Sequence, residues 1–154
     1  MKNTDCRLDN GSVCSISINL LGNALDPDHV TNLLGIEPTS SHRKGEIHYS
    51  NVDGREYVKK AGFWCIKVEV CQILDVPAVL SQLLADVGRA GCSLRHINGA
   101  EDTFADIFVM VGASEHGHAL IQLELPQDIW RHLSELDLKI CFTLGTSMPD
   151  WIGT

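Results

Sequence analysis

The stretch Ser12–Gly35, SVCSISINLLGNALDPDHVTNLLG, decides the fold class. Its first half alternates. Cys14, Ile16, Ile18 and Leu20 fall on one side, and Ser15, Ser17 and Asn19 on the other. A period of two is the mark of a half-buried strand. The second half changes period. Asp26 is placed to cap orphan helical amides, Pro27 stands at the first helical position, where a missing N–H costs nothing, and Asp28 complements the helix dipole. Val30, Leu33 and Leu34 form one apolar face, Gly35 supplies a left-handed end, and Pro38 prevents continuation. A strand feeding an amphipathic helix is thus the first unit of the chain.

The same alternation returns in GFWCIKVEVC, with Trp64, Ile66, Val68 and Val70 inward and Cys65, Lys67, Glu69 and Cys71 outward. DVPAVLSQLLADVGRAG reads as a second helix, with Asp75 and Pro77 at its start and Leu80, Leu83, Leu84 and Val87 on one face. SLRHING and FADIFVMVG read as strands joined by a turn around Glu101 and Asp102. The second is apolar on both faces, which predicts a central position in the sheet. HALIQLEL reads as a further strand, PQDIWRHLSELD as a third helix burying Ile129, Leu133 and Leu136, and LKICFTLG as the last strand. In IHYSNVDGREYVKK, Asp53-Gly54 favours a two-residue type I′ turn, which sets Tyr49 opposite Val58 and Ser50 opposite Tyr57.

These elements predict an α+β fold: a single layer of about three helices packed on a mainly antiparallel sheet, with an extra hairpin after the first helix. Residues 1–11 read as a flexible N-terminus, 12–145 as a single α+β domain and 146–154 as a C-terminal tail. At 154 residues, 44% apolar and 21% charged, the chain has enough core for one domain without metal or disulfide staples.

The opening MKNTDCRLDNGS lacks the apolar core of a signal peptide, and no apolar run approaches the ~20 residues that span a bilayer. A cytoplasmic protein is expected. The six cysteines contain no C-x-x-C pair and no zinc spacing, so all are expected as reduced thiols, with Cys65 and Cys71 the exposed ones. The net charge of −8 is unevenly spread: from Asp75 onward there are 11 acids against four Lys/Arg, whereas Glu37–Gly62 holds four acids against five Lys/Arg. That sign disfavours nucleic-acid partners and favours basic proteins.

Leu34, Gly35, Ile36, Pro38 and Thr39, then Lys44 and Gly45, then Gly62 and Trp64, stand in an order and spacing that resembles the bacterial family catalogued as domain of unknown function 4279. The resemblance spans roughly Ser12 to Leu144. It implies a small bacterial cytosolic domain and no particular reaction, and some relatives sit in toxin–immunity settings. The PDWIGT tail and the six cysteines depart from the family pattern.

Five sets of residues are chemical candidates. Ser40, Ser41, His42, Arg43 and Lys44 offer hydroxyls, amides and a guanidinium fork to phosphate or carboxylate. They lack the Walker spacing and follow the negative end of a helix, so the plainer reading is a solvated turn whose Arg or Lys satisfies helix C-terminal carbonyls. His116 and His118 offer two imidazoles without a third ligand, so no metal and no cofactor are expected. Cys92 with His96 lacks an orienting third group. Asp102 with Asp106, or Asp128 with Glu135, read as surface charge. Trp64 and Trp130 read as core, and Trp151 as either tucked onto the body or available to a partner.

The expected function is a protein-binding module. In its concrete form it is an immunity-type protein that neutralises a basic toxin domain through an acidic surface of Asp128, Glu135, Glu101, Asp102 and Glu115. The alternative is a small-anion or metabolite-binding protein, or an enzyme, built on residues 39–60 with Ser40, Ser41, His42, Arg43 and Lys44. Membrane association is not expected.

Overall fold

The structure, a computed structural model, describes residues 13–111 and 121–146. Its elements are β1 (Val13–Gly22), α1 (Pro27–Leu34), β2 (Ser40–His42), β3 (Ile47–Tyr49), β4 (Glu56–Val58), β5 (Gly62–Val70), α2 (Val76–Gly88), β6 (Asp102–Val111), α3 (Gln127–Glu135) and β7 (Lys139–Thr146). Short 3₁₀ turns occupy Ile73–Asp75 and Leu94–His96. Five strands form one sheet in the order β2-β5-β1-β6-β7, while β3 and β4 form a separate hairpin. Every pair is antiparallel except β6–β7, which is parallel and joined through α3. This is the α+β arrangement the sequence predicts.

Alternation decides which face is covered. Cys14, Ile16, Ile18, Leu20, Trp64, Ala105, Ile107 and Val109 are buried beneath the helices, which contribute Val30, Leu80, Leu84, Val87, Ile129 and Leu133. β1 lies between β5 and β6, so its helix-facing side chains form the centre of the core. The N-cap of α1 is as the sequence requires: the Asp26 carboxylate accepts from the Asp28 amide at 3.1 Å, and Gly35 (φ 65°) closes the helix with its N–H on the Thr31 carbonyl at 2.8 Å.

Three local expectations are corrected. The hairpin forms, but with Ile47 opposite Val58 and Tyr49 opposite Glu56. Ser50 donates its N–H to the Arg55 carbonyl and its hydroxyl receives the amides of Val52 and Asp53, which makes a four-residue loop in place of the two-residue turn. SLRHING is not a strand: its buried residues are Leu94 and Ile97, three apart, and a 3₁₀ turn satisfies that spacing. Of the strand expected over His118–Leu125, the described residues from Ile121 onward form none. Both edges of β6 are already occupied, by β1 and β7, so the segment that follows it finds no open neighbour there. Leu123 and Leu125 pack against the core instead.

The cysteines need correction as well. Cys65 is buried, because it sits between Asn19 of β1 and Ser40 of β2, and that burial pushes its thiol pKa up. Cys14, Cys65, Cys92 and Cys141 are free, whereas Cys71, just past the end of β5, is disulfide-bonded. The expectation of six reduced thiols therefore fails at Cys71. Among the described residues no helix is long and apolar enough to cross a membrane.

Candidate functional site

The basic cluster is built into the fold. One guanidinium nitrogen of Arg43 reaches Asp26 at 2.6 Å and Asp28 at 2.7 Å, so Arg43 holds the β2–β3 connection against the N-terminus of α1. Its partners are the capping carboxylates at the start of the helix, not the carbonyls at its end. Lys44 donates to the Asn23 side-chain oxygen at 2.8 Å. Ser40 and Ser41 alternate along β2 opposite Cys65 and Trp64, so their side chains turn to opposite faces. The His42 ring lies 5.2 Å from that of Phe63, and its pKa is lowered, first by burial and then by Lys59. The five residues do not converge on one point.

Their neighbours in the motif are structural too. The Thr39 N–H donates to the Cys65 carbonyl at 2.8 Å, and its hydroxyl accepts from the Lys67 amide at 2.9 Å. Gly45 (φ 86°) donates its N–H to the Lys59 carbonyl. A Cβ at Gly62 would stand 2.5 Å from the Leu25 carbonyl oxygen. Trp64 is fully buried, and its indole N–H reaches the Thr31 hydroxyl at 3.1 Å. Each of these residues fixes the corner where β1, α1, β2 and β5 meet.

A model of the family described as Domain of unknown function (DUF4279) matches residues 12–146. The chain belongs to that family. No curated protein and no solved structure matches it. Thr39, Gly45, Gly62 and Trp64 are accounted for by folding, and they leave the function to be read from other surfaces.

The acidic residues divide. Glu101 accepts from the backbone and side-chain amides of Asn23, and Asp102 is paired with Lys139. Asp128 and Glu135 have no ion pair among the described residues and lie on one flank of α3. Glu115 falls outside the described residues, as do His116, His118 and Trp151. Asp106 receives the Thr143 hydroxyl at 2.8 Å. No group of three or more His, Cys, Asp or Glu among the described residues is placed to hold a metal ion.

Trp130 corrects the core expectation, for it is 48% exposed. At about 100° per residue it stands on the flank of α3 opposite His132 and Glu135. His132 and Glu135 face a cleft of about 370 Å³ shared with Leu84, Ala85 and Gly88 of α2 and with Cys92. Trp130 is therefore on the side turned away from α2, toward β7. There Phe142 (52% exposed) and Leu144 (72% exposed) pair with Ile107 and Val109 and share their helix-bearing face. The solvent side of α3 thus has an aromatic rim and an acidic rim. The signal for this was present in the sequence: Trp130 is one residue off the Ile129–Leu133–Leu136 stripe. His132 was missed because only the docking of α3 on α2 brings it to Cys92.

The double variant Arg43→Ala, Lys44→Ala is expected to remain folded and to shift stability by only ~0–1 kcal/mol, since these ion pairs are solvent-exposed. Gly35→Val is expected to cost more, because a β-branched residue is strained at a φ of 65°. Equilibrium urea unfolding of both variants checks the order, and a double variant more damaging than Gly35→Val contradicts it.

Proposed function

We propose that this protein is a protein-binding module whose contact surface is the outer side of α3 with the adjoining edge at β7. In its concrete form it is an immunity-type protein that holds a basic toxin domain. The observation that carries this reading is that α3 bears an exposed aromatic, Trp130, on one flank and, on the opposite flank, two acids, Asp128 and Glu135, that have no ion pair among the described residues. Exposed aromatics anchor interfaces, and acids around them steer a basic partner during encounter. Glu101 and Asp102 are internally engaged, with Asn23 and with Lys139, so they add field more than contact.

The anion-binding reading is weaker, since Arg43 and Lys44 already have partners in the protein. We place the protein in the cytoplasm. Four free thiols favour a reducing compartment, and the disulfide at Cys71 is the observation that pulls the other way.

Affinity purification from the host tests this reading. A basic protein should co-purify, with retention falling as salt rises past the ~10 Å Debye length at 0.1 M. A bound phosphate or metabolite lost from the Arg43→Ala, Lys44→Ala variant, with no protein partner, would replace this reading with the alternative.

A further inference from the structure

The two edges of the five-stranded sheet are unlike. At one edge β2 is three residues long, follows Pro38 and is followed directly by the charged Arg43 and Lys44. Shortness, proline and charge are the usual means of keeping an edge strand from pairing with another chain. At the other edge β7 runs for eight residues, has no proline and carries its one charge on its first residue, Lys139. Its one neighbour in the sheet is β6, and no described residue hydrogen-bonds its outer backbone.

The side chains of β7 fit the same role. Ile140, Phe142 and Leu144 share the helix-bearing face, because they pair with Ala105, Ile107 and Val109, which are buried there. Phe142 and Leu144 nevertheless remain exposed, and so does Trp130 beside them on α3. Cys141, a free and exposed thiol, and Thr143 take the other face.

A second copy of this chain is the occupant that matches such an edge. A two-fold axis perpendicular to the sheet sets β7 antiparallel to the β7 of another copy without turning either sheet over. Helix-face residues then meet helix-face residues, so Ile140, Phe142 and Leu144 of one copy lie against the same three of the other. Residues 140–146 carry no charge, so the net charge of −8 does not set like charges against each other along this edge. The two acids of the adjoining β6, Asp102 and Asp106, already hold Lys139 and Thr143. An unrelated strand would have to supply this alternation, whereas a copy has it by identity.

We propose that β7 pairs antiparallel with β7 of a second copy and joins the two sheets into one. The proposal does not rest on the protein-binding reading, since the chain alone suffices to form the pair. Self-pairing covers the β7 part of the contact surface, so a partner that engages Trp130 meets the single copy and competes with the dimer.

The test is the mass of the purified full chain by sedimentation equilibrium over about 1–500 μM, a range that populates a weak homodimer. A rise with concentration toward twice the chain mass is expected. Phe142→Lys with Leu144→Lys sets charge on the edge, and both side chains are exposed in the single copy. That variant should stay folded, and its dimer dissociation constant should rise by about tenfold or more. Tyr49→Lys with Val58→Lys, on the exposed apolar side of the β3–β4 hairpin, should leave the mass curve as in wild type. A short bis-maleimide should link two wild-type copies through Cys141 and fail to link Cys141→Ser, which reads the pairing independently of the charged variant. A single copy at every concentration, a dimer that survives charge on β7, a dimer lost with the hairpin variant, or linkage that persists in Cys141→Ser overturns the proposal.

Discussion

Trp64→Ala is expected to destabilise the domain by about 3–5 kcal/mol, the range for emptying a large aromatic site in a core. Trp64 has no exposed surface, and it lies on β5 opposite Leu20 of β1 and Ser41 of β2, beneath α1. Its loss leaves a cavity where α1 meets the sheet and removes the hydrogen bond to Thr31. Domains of this kind have about 5–15 kcal/mol of stability in all, so the variant gives up a large share. Trp64→Phe keeps most of the apolar area and loses the indole N–H, which lowers the expected cost to about 1–2 kcal/mol. Urea unfolding monitored by far-UV circular dichroism measures both. A Trp64→Ala midpoint within experimental error of wild type would mean that Trp64 does not organise this corner.

The regular part of this fold was legible because its periods are clean. Cys14 to Leu20 and Trp64 to Val70 alternate, and both runs are strands with the expected faces inward. Asp26, Pro27 and Gly35 bound α1 as their chemistry requires. Misreadings fell where local pattern and tertiary demand diverge. The hairpin slipped because the Ser50 hydroxyl takes amides that a two-residue turn would have left elsewhere. From Ile121 onward the expected strand failed because periodicity cannot report that β6 already has two neighbours.

The candidate site was less legible for the same reason. The sequence suggested that Arg43 or Lys44 meets the carbonyls at the end of α1, since nothing there announces that Asp26 and Asp28, more than a dozen residues earlier, fold back onto Arg43. Asp128 and Glu135 could be placed on a flank of α3 by helical period alone. The cleft neighbours of Glu135, Cys92 and Gly88, could not, because they lie outside α3.

The central claim is that the outer side of α3 is the contact surface, and binding kinetics with the co-purified partner test it most directly. Trp130→Ala removes an exposed anchor, so it should leave folding intact and cost about 2 kcal/mol or more of binding, roughly 30-fold in affinity. That loss should fall mainly on dissociation. Asp128→Lys with Glu135→Lys reverses the acidic rim, so it should slow association and flatten its salt dependence while dissociation changes little. Stopped-flow measurement of both variants at several salt concentrations separates the two effects. Faster dissociation from Trp130→Ala and slower, less salt-sensitive association from the charge reversal are the predicted results. Wild-type kinetics in both variants would contradict the account.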